Sequence, residues 1–297
     1  MTKMIPIVFA GLSLSAGLVW AEPPIFEARI VAQFETFDAR QGVAVDAHHF
    51  YAVNNFRITK HDKKSGEPLL QWDGDPESAE PLIHLNSGMV FDGKLYAAHS
   101  NYPSWPMTSS LETWDTKTMA HIGTHSFGVR LGSFAWIDRF EDSWWGAFAN
   151  YDRVQQGMRH PYGETRNTVV VKFDAQFNVV QNWTIPVEIL SRMTPMSNSG
   201  GSWGPDGMLY LTGHDHPEIY VMAIPDRGSE LDWRATIHVP SFNGQGIAWN
   251  RSGDSNELWG ILKSDRRVFR IEMPEIANKL KPTNTDYLRN PGQFNTQ

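Results

Sequence analysis

The sequence predicts an all-β fold, a single five-bladed β-propeller of four-stranded antiparallel blades. Three observations carry that expectation. Short β-prone runs are joined by tight turns along most of the chain. A small residue recurs at Gly42, Gly88, Ser133, Gly200 and Gly246, in steps of 46, 45, 67 and 46. An aromatic recurs on the run that follows each one, at Tyr51, Tyr96, Trp145, Tyr210 and Trp259. Propeller blades repeat every ~40–50 residues, so three steps fit directly. An insertion over residues 151–167 accounts for the long step.

Residues 1–21 stand apart from the repeats. Lys3 supplies a positive start, residues 5–20 are apolar, and Val19 and Ala21 are the small residues of a cleavage site before Glu22. The apolar run is shorter than the ~20 residues a membrane helix needs. A signal peptide is therefore expected, with the mature protein secreted or periplasmic and free of the membrane after cleavage. The propeller is expected over 22–273, followed by a polar tail, 274–297.

Residues 25–37 read as one strand without a blade of its own. Blade one follows with runs at 41–46, 50–53, 57–62 and 69–72. Blade two has runs at 87–92, 94–98, 111–115 and 121–126, and blade three opens at 132–138 with 144–149 behind it. Blade four, residues 199–221, turns on Gly204-Pro205-Asp206-Gly207, where Pro presets φ and Gly accepts φ > 0. Blade five has runs at 245–250, 257–263 and 267–273 but no obvious fourth. The economical arrangement gives it residues 25–37, which closes the ring and hides two sheet edges.

Hydrophobic residues at 41% and aromatics at 12% are enough to fill such a core. With no cysteine, packing alone must hold the fold, and a thiolate metal site is excluded. The net charge of −7, with no basic run, argues against nucleic acid as a partner.

In a propeller the starts of the inner strands and the ends of the second strands converge on one concave mouth. Read off the repeats, that rim holds Asn86 and Gln245 before inner strands, and Asn55, His99, Asn150, His214, Asp215, His216 and Lys263 after second strands. Imidazole titrates near neutral pH and ligates metals. His99, His214 and Lys263 are the expected catalytic groups, and His99, His214 and His216 the expected ligands if a divalent metal is the cofactor. Asn55, Asn86, Asn150, Asp215 and Gln245 are expected to bind ligand. Trp105 and Arg159, on the two long loops over the same face, are expected to cover it. The remaining histidines, His84 among them, read as structural. No paired carboxylates, G-x-S-x-G or Walker loop occurs.

Gln41-Gly42-Val43-Ala44-Val45-Asp46 with Lys60-His61-Asp62, and Gln245-Gly246-Ile247-Ala248-Trp249 with Lys263, resemble the first and last blades of plant-type glutaminyl cyclases. The resemblance implies a five-bladed exported enzyme that cyclises N-terminal glutamine, with Lys263 lining its site. That family places carboxylates at blade starts, where this chain has Asn86, Ser87 and Asn198. A likeness to calcium-dependent lactonase propellers rests on blade pattern, without their central Glu. Two functions follow as expectations. One is an exported hydrolase or lyase acting on a small molecule at the mouth through histidines, and the other a non-catalytic ligand- or protein-binding propeller.

Overall fold

The computed structural model describes residues 23–276 and 280, except 76, 80, 130, 155–157, 161–162, 215 and 254–255. The signal-peptide expectation and most of the tail lie outside the described residues. Within them the chain forms five radial sheets, in strand order along the sequence. From channel to rim, blade one is Gly42–Val45, His49–Val53, Arg57–Asp62 and Pro68–Asp73. Blade two is Leu85–Phe91, Lys94–Ser100, Ser109–Asp115 and His121–Gly128. Blade three is Ser133–Phe140, Ser143–Ala149, Val169–Phe173 and Val179–Thr184. Blade four is Gly200–Trp203, Leu209–Thr212, Glu218–Ala223 and Asp232–His238. Blade five contributes Ile247–Trp249, Glu257–Leu262 and Arg267–Glu272. A short helix, Val187–Met193, links blades three and four.

The N-terminal segment closes the ring as expected, with one difference. Arg29–Glu35 pairs antiparallel with Arg267–Glu272 and is the missing outer strand of blade five. Ile25–Glu27 instead runs parallel to Asp232–His238 as a fifth strand on blade four. The segment breaks at Ala28, whose N–H bonds the His238 carbonyl. One stretch thus covers the outer edge of one blade and completes the next, a latch suited to a fold without disulfides.

Burial explains the sequence pattern. The inner and second strands of blade one, Gly42–Val45 and His49–Val53, are buried almost throughout and largely apolar, whereas the outer strand Arg29–Glu35 alternates. The apolar core is divided into five buried clusters, each between two neighbouring blades. Tyr51, Trp145, Tyr210 and Trp259 are the buried wedges of four of them, and Tyr96, half-buried, packs on Trp144.

The recurring small residue has a geometric reason. A Cβ on Gly246 would sit 2.6 Å from Gly42 Cα and 2.7 Å from Ser87 Cβ. Ser87 Oγ also donates to the Ile247 carbonyl at 3.3 Å, from blade two to blade five. Inner strands therefore meet closely at this level and pinch the channel. Cavities lie on either side of the pinch, at an upper mouth and a lower one.

Candidate functional site

The upper mouth is built from strand ends, because each inner strand starts there and each second strand finishes there. A cavity of about 170 Å³ sits in it, lined from all five blades. Gln41, Asn86 and Asn198–Ser199 come from the starts of inner strands; His214 and Lys263 follow second strands. His84, Tyr102, Tyr151 and Arg153 complete the polar lining. A neighbouring cavity of about 390 Å³ shares His214 and Lys263 and adds Asn243 and Gln245.

The amides are mostly committed to holding the rim. Gln41 Nε2 donates to Asn55 Oδ1, so Asn55 stands behind the lining. Asn86 Nδ2 donates to the Phe134 carbonyl at 2.8 Å. Asn198 accepts from Trp136 Nε1 at 2.7 Å and donates to the carbonyls of Gly200 and Thr212. Gln245 Oε1 accepts from Ser199 Oγ at 3.3 Å. These bonds tie blades together and fix the cavity wall.

Of the sequence-predicted residues, Asn86, His214 and Lys263 line one cavity and Gln245 the next. The others lie elsewhere. His99 is buried behind the wall: its Nε2 accepts the Ile83 N–H at 3.3 Å, so Nδ1 carries the proton and donates to Ser110 Oγ at 2.9 Å. Ser110 passes its own hydroxyl to Glu112 at 2.6 Å, and Glu112 also accepts from His121 and Thr124. Burial pushes His99 down to about 4, against the opposing attraction of Glu112. Both ring nitrogens of His99 are occupied, one by the Ile83 N–H and the other by the Ser110 hydroxyl, so it is a wall residue where the sequence suggested a base. Asn150 is likewise structural, its Nδ2 donating to the Leu131 and Asn167 carbonyls.

The two long loops do meet at the mouth, through other residues than expected. Trp105, 46% exposed, and Arg159, also exposed, are absent from the cavity lining. Tyr102 and Arg153 from the same loops are present, with Arg153 Nη1 donating to the Tyr102 hydroxyl at 3.2 Å. His216 is exposed, and Asp215 lies outside the described residues. Among the described residues no three His, Asp or Glu side chains gather as metal ligands, so the expected trio of His99, His214 and His216 does not assemble.

His84, read from sequence as structural, lines the cavity, its ring 5.0 Å from that of Tyr102. Burial, then the nearby His99, Lys263 and His214, push its imidazole down to about 3. Its signal was present in the alternation: His84 stands two residues before Asn86, hence on the same side of an extended chain. His214 Nδ1 donates to the Ser197 carbonyl at 3.3 Å, which selects the tautomer with Nε2 as the basic nitrogen. Tyr151 is pushed up to about 12 by burial. The mouth therefore presents imidazole, ammonium, guanidinium and phenol, and among the described residues no carboxylate lines it.

No family model matches the chain, and no curated protein matches it. Among solved structures it is similar to the PQQ-bound aldose sugar dehydrogenase of Streptomyces coelicolor. The identity is 12%, the match covers 84% of this chain and 81% of that one, and the TM-score is 0.47. A likeness at that level carries no argument about activity. The propeller resemblance stands on the five blades themselves; nothing in the comparisons singles out glutaminyl cyclases.

Proposed function

We propose that this chain is an exported propeller enzyme, a lyase or hydrolase that takes a small molecule into the upper mouth and moves a proton on it. One observation supports this reading above the rest: five blades converge on a single cavity holding His84, His214, Lys263 and Arg153 together. A neutral imidazole is the usual general base near pH 7, and fixed cations stabilise negative charge that develops on the substrate. In this reading His214, through Nε2, is the base. Lys263 and Arg153 face the developing anion, and Tyr102 closes the site over it. His99 acts at one remove, holding the backbone that carries His84.

The cavity is smaller than the ~300–1,000 Å³ typical of drug-sized ligands, which suits a compact metabolite. The test is a panel of small acids, esters, lactones and a glutamine-initiated dipeptide, followed by proton NMR in D2O. Turnover or enzyme-dependent exchange of a substrate proton, abolished in His214→Ala with the melting temperature kept, is the expected result. A panel member that binds in the mouth without exchange or turnover would make the propeller a binding module and overturn the enzyme reading.

A further inference from the structure

We propose that Glu112, buried in the body of blade two, is a positioning residue of the upper mouth. It fixes the tautomer of His99, and through it the backbone that brings His84 to the cavity. The proposal rests on the mouth being the working site and adds a residue outside the cavity lining.

A chain of hydrogen bonds crosses blade two, and each bond in it can run in one direction only. It passes from His121 on the outer strand, through Glu112 and Ser110 on the third and His99 on the second, to the backbone leading into the inner strand. Glu112 is fully buried. Burial pushes its carboxyl up, but the bonds from His121, Ser110 and Thr124 hold it below the usual range. A carboxylate only accepts. Ser110 Oγ therefore donates to Oε1 at 2.6 Å and, with its hydrogen engaged there, meets His99 as an acceptor. His99 Nδ1 carries the proton and donates at 2.9 Å, which leaves Nε2 bare. At the far end the Ile83 N–H, a donor only, needs a bare nitrogen and finds it at 3.3 Å. An acceptor-only group at one end and a donor-only group at the other leave a single tautomer between them.

The link to the mouth is the peptide before His84. On its far side the backbone is held by backbone: the Ser100 N–H donates to the His84 carbonyl at 3.1 Å and the Leu85 N–H to the Asn55 carbonyl at 2.8 Å. The Ile83 N–H instead ends on a side chain, whose acceptor exists in one tautomer and is lost in the other. Glu112→Gln removes the direction that sets it. Oε2 takes two donors, His121 at 2.8 Å and Thr124 at 2.6 Å, and Oε1 takes one. The single amide oxygen therefore turns to the pair, and the amide NH2 to Ser110. Ser110 then donates to His99 Nδ1, and the His99 proton moves to Nε2, against the Ile83 N–H. Two donors cannot share that contact, so Ile83 turns away and takes with it His84, which lines the cavity.

Nitrogen NMR of the imidazoles in the full protein reads the tautomer, with His99 assigned by the signals lost in His99→Gln. Diethyl pyrocarbonate, which acylates bare imidazole nitrogens, reads the mouth by peptide mass spectrometry. In the wild type the His99 proton is expected on Nδ1, and in Glu112→Gln on Nε2. Acylation of His84 should then rise about five-fold, the factor that one net hydrogen bond corresponds to. His214, carried by blade four outside this chain of bonds, should react at the wild-type rate. Ser110→Ala, which leaves Glu112 its other two donors, should mix the tautomers and raise the His84 rate alike. Ser110→Thr, which keeps the hydroxyl, should match the wild type. An unchanged His99 tautomer in Glu112→Gln overturns the proposal, and so does a switched tautomer with an unchanged His84 rate. Equal rises at His84 and His214 overturn it too, because general loosening of the fold moves both. If Glu112→Gln does not fold, the two Ser110 variants decide by the same criteria. These readouts need no substrate, so they can fail while the mouth turns over a member of the panel, and succeed while the panel fails.

Discussion

The two mouths of the channel are made by the same repeat and differ in what is done with their polar groups. At the lower rim Asp46, Asp92 and Asn250 follow inner strands directly, Asp138 lies near the end of one and Asp206 in the turn after another. The described bonds there are internal. Asp46 accepts the His48 and His49 N–H groups and the Tyr51 hydroxyl, donors that overcome the opposing effect of burial and hold it below the usual carboxylate range. Asp138 accepts both Arg251 nitrogens, Ser202 Oγ and the Trp203 N–H. Asp206 takes the Tyr210 hydroxyl and the Met208 N–H, yet burial still lifts it above the usual range. At the upper rim the amides are consumed in the same way, and His84, His214, Lys263 and Arg153 line a cavity. Asp46, Asp138 and Asp206 therefore act as joints between strands, and the upper rim is the mouth proposed as the working site. A cavity of about 910 Å³ lies at this lower rim, with Asp206 and Arg251 in its lining.

That contrast breaks first at Asp138. Replacing it by Ala leaves the partly covered Arg251 and the buried Ser202 and Trp203 donors without their acceptor, and loss of one partner of a buried pair costs about 3–5 kcal/mol. Urea denaturation is expected to show that loss; a change below 1 kcal/mol would make Asp138 no joint at all. Gly246→Ala comes next, because the new methyl meets the Gly42 backbone and overpacking costs about 1–3 kcal/mol. Its check is a lower urea midpoint with an unaltered m-value, and an unchanged midpoint would mean the channel is not pinched there.

His99→Ala and His214→Ala separate two histidines that look alike in sequence. The first leaves the Ile83 N–H and Ser110 short of a partner and is expected to destabilise by about 2 kcal/mol. The second, at the cavity, is expected to cost under ~1 kcal/mol while removing ligand binding or activity. Equal losses of stability would erase the distinction between wall and lining.

The smallest effect is on acid stability. His84 and His99 are held neutral in the fold at about 3 and about 4, whereas unfolded histidine titrates near 6.5. Their folded values are depressed, so no stability is lost above pH 6.5. Below it each group favours the unfolded chain by up to about 1.4 kcal/mol per pH unit, until its folded value is reached. Midpoints measured from pH 7.5 to pH 5 should fall less steeply in His84→Gln than in the wild type. Parallel slopes would mean that His84 is already solvated and protonated at pH 5.

What the sequence determined by itself was the period and its consequences. Inner-strand glycines had to recur because neighbouring strands approach too closely for a side chain, and wedge aromatics because radial sheets leave a gap between blades. Closure by residues 29–35 was legible because blade five lacked a strand and that segment lacked a blade, and the rim positions followed from counting strands. Tertiary structure decided that, of the two histidines at the ends of second strands, His214 lines the cavity and His99 stands behind its wall. Leu85 pairs with His99 but Gly88 pairs with Ala97, so the inner strand of blade two carries one residue more than its partner. Such a bulge re-aims the side chains around it. His84 and Asn86 line the mouth, and His99, on the partner strand, turns to Ser110. A side-chain period of two makes facing depend on every inserted residue, and the repeat spacing, matched only to the nearest few residues, contains no such information.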